Sequence, residues 1–184
     1  MTSLKGHLIL AHPNLLDPNF ARAIVLVFDH GKQGAAGVII NRPTEATISD
    51  IAEQVFSEPF AWEKPLNFGG PVLGPLMVLH ANEPQADQEV MAGLFTTIDA
   101  SKVQVLLRSR FEPSLIIANY AGWGPGQLEA EIKEGSWLLT EATLELVFGS
   151  ADEEAWATIV REIEATGIPK ILGIREVPDD PSMN

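Results

Sequence analysis

Apolar residues along the chain come in short runs with two spacings. His7–Ala11 reads as a short strand. "AIVLVFDH" (23–30) and "GAAGVII" (34–40) are β-branched apolar runs separated by a Gly-containing turn, the signature of a hairpin. Both faces of 23–28 are apolar, which places that pair centrally, covered on two sides. Thr47 followed by Asp50 predicts a helix start, with Ile48, Ile51, Ala52 and Val55 on one helical face. "FSEPFAWEKP" is a loop, and "LMVLHA" (76–81), Met91–Ile98 and "SLIIANY" (114–120) read as strands. Asp99 caps a helix whose Val103, Leu106 and Leu107 share a face. The last third reads as helical over 127–134, 141–148 after Thr140, and 151–165 behind a Ser150–Glu153 capping box. A short strand, Lys170–Ile174, then precedes a frayed tail at 177–184. Together these predict an α/β (α+β) fold: one compact domain over 1–184, with a mixed, largely antiparallel central sheet and helices packed against it.

Composition narrows the functional classes. The net charge of −13 over 184 residues opposes direct nucleic-acid binding, which needs a basic patch to release counterions. The charge is uneven: residues 1–43 carry +2, whereas 127–184 hold thirteen acids against four bases. Such asymmetry reads either as an interaction surface or as a solvated acidic helical face. There is no cysteine, so disulfides, thiolate metal sites and cysteine nucleophiles are excluded. The apolar run near the start, Leu8–Ala11, is broken by His12-Pro13 and is too short for a signal or a membrane span, so the sequence predicts a cytoplasmic protein.

Candidate chemistry concentrates in "NYAGWGPGQLEAEIKEGSW" (119–137). Its glycines, Gly122, Gly124 and Gly126, give G-x-G-x-G, not the G-x-G-x-x-G of a dinucleotide loop, and no Lys-Ser or Lys-Thr follows as in a P-loop. Glu129 and Glu131 open the next helix, where they compete with a bound phosphate for the same N–H groups. Gly-Pro-Gly reads first as a turn from strand into helix. The alternative is a pocket wall made by Tyr120, Trp123, Gln127 and Glu131.

The four histidines, His7, His12, His30 and His80, form no H-x-x-x-H or H-x-H pair, so no metal or cofactor is expected. His30 and His80 each close an apolar strand, where a satisfied polar terminus is the plainer reading. No G-x-S-x-G elbow is present. Hairpin register puts residue 30 near 35 and 23 near 42, with His30 and Arg42 at opposite ends, about 23 Å apart. It also brings Arg22 close to Arg42. Two cations so placed call for an anion, a partner's acid, or an internal acid such as Asp17.

The stretches "GHLILAHPNLLDPNF", "FDHGKQGAAGVIINRP", "NFGGPV", "VLH", "AGWGPGQLEAEIKEGSW" and "FGSADEEAW" occur in the order seen in the YqgE/AlgH family of bacterial proteins, which the chain resembles from about Gly6 to Leu172. The resemblance implies a single-domain α/β protein with a mixed sheet and supplies no catalytic residue to carry over. It implies a role in transcriptional control; the net charge of −13 makes that role indirect, and Arg22 with Arg42 points to a protein partner or a small anionic ligand. The matching motifs lie at His30, at Asn41-Arg42-Pro43, at Gly69-Gly70-Pro71, at His80 and at 121–131. The ligand-binding candidates are therefore Arg22, His30, Asn41, Arg42, Gly69, Gly70, His80, Tyr120, Trp123, Gln127 and Glu131. Two readings follow: a non-enzymatic binding or regulatory protein, and an enzyme with a site assembled from His80, Tyr120 and Glu131.

Overall fold

The computed structural model describes residues 3–150 and 153–165. The fold is mixed α+β, and its strands divide between two sheets. The first holds β1 (His7–Ala11), β2 (Ile24–Gly31), β3 (Gly34–Ile39), β10 (Ala121–Trp123) and β11 (Trp137–Glu141) in the order β10-β3-β2-β1-β11. All its pairs are antiparallel. The second holds β4 (Pro43–Thr47), β5 (Pro65–Phe68), β6 (Met77–His80), β7 (Gln88–Met91), β8 (Leu94–Thr97) and β9 (Ser114–Ala118) in the order β4-β5-β9-β6-β8-β7. Here β5 and β9 run parallel and the other pairs antiparallel.

Alternation along the central strands explains the layering. In β1 to β3 and the residue after, Leu8, Leu10, Ile24, Leu26, Val38 and Ile40 face Met77, Leu79, Leu94, Leu115 and Ile117 of the second sheet. The intervening Ile9, Val25 and Ile39 point the other way, into a cluster with Trp123, Leu128 and Trp137. The far side of the second sheet is covered by α1 (Ile48–Phe56) and α2 (Ala100–Arg108), which bury Ile48, Ala52, Val103, Leu106 and Leu107 against Val78 and Ile116. The first sheet is thus apolar on both faces, as residues 23–28 predict.

The caps form as expected. The Asp99 carboxylate accepts the Ser101 and Lys102 N–H groups at 3.0 and 3.1 Å, and the Thr47 N–H donates to Asp50 Oδ2 at 2.7 Å. Three expectations change. Met91–Ile98 is not one strand but the turn and second arm of the β7–β8 hairpin, folded at Ala92-Gly93. Residue 141, read as the start of a helix, instead ends the strand 137–141, because "WLLTE" finds β1 as an open neighbour. A shorter α4 (Leu144–Gly149) then starts at Thr143, whose hydroxyl accepts the Leu146 N–H. A bulge between Val27 and Asp29 slips the hairpin register by one residue towards the Arg22 end, so Val25 faces Ile39. Helix α5 (Glu153–Ala165) is tied back by the Trp156 indole, which donates to the Ala11 carbonyl at 2.9 Å. The expected strand Lys170–Ile174 and tail 177–184 lie outside the described residues, as do 151–152 within the Ser150–Glu153 cap.

Candidate functional site

The Gly124-Pro125-Gly126 turn carries β10 into the short helix α3 (Gln127–Lys133), with Gly126 in the left-handed region at φ +74°. The Gln127 side chain closes the turn by accepting the Gly124 N–H at 3.0 Å. One turn later stands Glu131. Its Oε2 accepts the indole N–H of Trp123 at 2.9 Å and that of Trp137 at 2.8 Å, and its Oε1 accepts from Gln127 Nε2 at 2.9 Å. Phe20 stacks on Trp123 and meets Trp137 edge-on, with ring centroids 6.1 and 5.5 Å apart. Both carboxylate oxygens are therefore engaged, and they pin α3 to two strands at once.

A second carboxylate of α3 holds its other flank. His30, at the end of β2, accepts the Leu4 N–H on Nδ1 at 3.1 Å. An Nδ1 that accepts a backbone N–H is unprotonated, so the ring proton sits on Nε2 and donates to Glu129 Oε1 at 3.1 Å. The His30 side chain is 4% exposed. The structure thus brings His30, Trp123, Gln127 and Glu131 around one short helix.

Tyr120 is not among them. It forms a bridge with Val72, each accepting the other's N–H, at 2.9 and 3.0 Å. Its ring lies near Gly74 and Gly122, whereas the Trp123 ring lies over Gly37. Successive side chains of an extended segment point to opposite faces, which separates the two aromatics. Gly69 and Gly70 serve this crossing. A Cβ on Gly69 would stand 2.4 Å from the Asn119 carbonyl oxygen, and one on Gly70, at φ +151°, 2.4 Å from the Tyr120 carbonyl.

Asn41 and Arg42 organise the long β1–β2 connection. Buried Asn41 accepts the Ile24 N–H at 2.8 Å and donates to the Arg22 carbonyl at 2.9 Å. The Arg42 guanidinium donates to the carbonyl oxygens of Asn19 and Ala21 at 2.6 and 3.0 Å. Those carbonyls, rather than the expected Asp17, are its partners; Asp17 instead accepts the Asn19 N–H at 2.8 Å. Arg22 is exposed, at φ +57°.

His80 lies elsewhere, fully buried at the end of β6. Its Nδ1 accepts the Asn82 N–H at 3.0 Å and its Nε2 lies 2.8 Å from Thr97 Oγ1, which donates onward to the Gln85 carbonyl. Phe95 stacks on the ring and Phe111 meets it edge-on. Burial lowers its pKa, and the Asp87 charge opposes the shift without reversing it. The arrangement fits a neutral imidazole held as a core polar link.

Sequence reading passes over Asn67. It sits in β5 between Leu66 and Phe68, buried, and its Oδ1 has no hydrogen-bond partner among the described residues. The available signal was an amide inside an apolar strand, two residues before the Gly69-Gly70 pair. Among the described residues no group of three or more His, Asp or Glu is placed to hold a metal ion, and no helix is long and apolar enough to cross a membrane.

Comparison with known proteins finds a family model, described as AlgH-like, that matches residues 8–166. A UPF0301 protein of Myxococcus xanthus is 38% identical over 177 positions, covering 94% of this chain and 98% of its own. One from Streptomyces avermitilis is 35% identical over 193 positions, covering 100% and 97%. The solution structure of the AlgH protein from Pseudomonas aeruginosa superposes with a TM-score of 0.73 at 30% identity, covering 91% of this chain and 90% of that one. Protein DIP2367 of Corynebacterium diphtheriae, with a TM-score of 0.68 at 21% identity and coverage of 88% and 87%, shares the fold.

Proposed function

The chain belongs to the AlgH-like family, and on that premise we propose that it is a non-enzymatic regulatory or binding protein of the cytoplasm. It acts through a protein partner or a small ligand, and any role in transcription is indirect. The observation that carries this reading is how the acid–base groups are used. Glu131 accepts from two indoles and an amide, His30 is held between Leu4 and Glu129, and His80 between Asn82 and Thr97. A general acid or base needs an atom free to reach the reacting proton, and here those atoms are engaged with the scaffold.

An enzyme built on His80, Tyr120 and Glu131 is disfavoured by their separation. His80 is sealed in the second sheet, Tyr120 serves the crossing, and Glu131 packs beyond the opposite face of the first sheet. The charge of −13 disfavours direct contact with nucleic acid.

Native and denaturing mass spectra of gently purified protein, recorded side by side, test the reading. The expected result is a stoichiometric non-covalent mass, metabolite or protein, that is lost on denaturation. An added mass that survives denaturation on His80, Tyr120 or Glu131 would mark a covalent intermediate and overturn it.

A further inference from the structure

The stretches "GHLILAHPNLLDPNF" and "AGWGPGQLEAEIKEGSW" meet at a cleft that the scaffold roles above leave unexplained. The His12 N–H donates to the Ser136 carbonyl at 2.9 Å, tying the start of the β1–β2 connection to the end of α3. Each wall is set by its own backbone. On one side the His12 carbonyl accepts the Leu15 N–H at 2.8 Å, and His12 Nδ1 accepts the Asn14 N–H at 3.2 Å. On the other, Gly135 at φ +81° closes α3. Its N–H donates to the Ile132 carbonyl at 3.0 Å, and the Ser136 N–H to the Glu131 carbonyl at 2.9 Å. Between the walls lies an open cleft of about 420 Å³, lined by His12, Asn14, Leu15, Glu134, Gly135 and Ser136. That is within the roughly 300–1,000 Å³ of small-molecule sites.

The polar side chains of this cleft are unspent, whereas Glu131, His30, His80 and Asn41 give theirs to the scaffold. Asn14 and Glu134 are exposed and Ser136 is half-buried. Among the described residues none of these three side chains forms a hydrogen bond or an ion pair. Half-buried His12, with Nδ1 occupied, has its Nε2–H to offer. We propose that the cleft binds a small hydroxylated primary amine of monosaccharide size, its ammonium on the Glu134 carboxylate and its hydroxyls shared among Asn14, Ser136 and His12. Glu134 is the one acid in the lining, which holds no lysine or arginine, so the ligand brings the positive charge. That sign is opposite to the anion suggested by Arg22 and Arg42, and the Arg42 guanidinium is spent on carbonyls. Asn14 and Ser136 can each donate and accept, which matches hydroxyl groups better than an alkyl chain. Leu15 gives the carbon face of such a ligand an apolar contact. Walls already fixed by backbone bonds need little ordering when it arrives. The proposal rests on the binding reading and gives its small ligand a chemical class.

The test is an NMR titration of the ¹⁵N-labelled full chain, at low ionic strength, with glucosamine, glucose and butylamine in separate series. Glucose has a hydroxyl where glucosamine has its amine, and butylamine has the charge without the hydroxyls. The expected result is that glucosamine shifts the Asn14, Gly135 and Ser136 signals. It should bind at least about three times as tightly as either comparison, the margin of one exposed ion pair. Added salt should narrow its lead over glucose. In Glu134→Gln that lead disappears, and in Ser136→Ala the lead over butylamine shrinks, with the rest of the spectrum unchanged. Equal binding of glucosamine and glucose, or of glucosamine and butylamine, overturns the proposal. So does the absence of shifts at Gly135 and Ser136, which leaves a solvated cleft. Should a variant fail to fold, the three probes on the unmodified chain still decide. Conversion of bound glucosamine to a product would sustain the site and sink the non-enzymatic reading, whereas absent binding sinks the site and leaves a protein partner open.

Discussion

Removing the Glu131 carboxylate leaves two indole N–H groups and one amide without their acceptor, in a cluster whose tryptophans are buried. Hydrogen bonds to a charged group contribute about 1.5–3 kcal/mol each, and they overlap here on one side chain. Glu131→Ala is therefore expected to cost about 3 kcal/mol in urea unfolding, with a change in tryptophan fluorescence of the folded state. Glu131→Gln, which keeps one acceptor, is expected to cost less. His80 gives a prediction in pH. Burial lowers its folded pKa below the 6.5 of an exposed imidazole, so the unfolded chain binds the proton more readily. Its contribution to stability is then full above pH 6.5 and is lost as pH falls from 6.5 towards the folded pKa. Denaturation midpoints measured between pH 8 and 5 should fall on the acid side, and His80→Gln should flatten that part of the fall. The role of His80 as a satisfied core residue was legible from its place at the end of an apolar strand. That of Glu131 was not: its second indole arrives from Trp137, on a strand that the sequence reading leaves unassigned between the helices 127–134 and 141–148.

At the level of elements, the Gly-Pro-Gly turn and the caps at Thr47 and Asp99 follow from local chemistry, which is why they could be read directly. The β7–β8 hairpin and β11 could not. The first turns on Ala92-Gly93, a weak turn signal inside an apolar run. The second is a leucine-containing segment whose state is decided by β1 lying open beside it, and such pairing overrides local propensity. The Gly69-Gly70 step belongs here too, since it lets two chain segments cross at backbone contact. In Gly70→Ala the new Cβ would press on the Tyr120 carbonyl from a φ of +151°. Main-chain atoms cannot swing aside as a side-chain tip can. A loss of about 2 kcal/mol or more is expected in thermal or urea unfolding, while a Gly126→Ala control, with open space around its Cβ, should lose less.

Across the whole molecule, two stacked sheets place the sequence-singled residues in separate settings. His30, Trp123, Gln127 and Glu131 surround α3, and Asn41 and Arg42 brace the β1–β2 loop. Gly69, Gly70 and Tyr120 make the crossing, while His80 lies inside the second sheet. Strand identity and alternation could be read from one sequence, but not which sheet each strand joins, so convergence at a site was beyond it. This distribution supports acid–base side chains that hold a binding protein together. The measurement that tests this most directly is a time course of a bacterial metabolite extract incubated with the native protein, followed by untargeted mass spectrometry, with heat-unfolded protein, His80→Gln and Glu131→Gln in parallel. The account predicts that no component is converted faster by the native protein than by the unfolded one. Conversion that scales with protein concentration, and that either substitution abolishes while the chain remains folded, would contradict it.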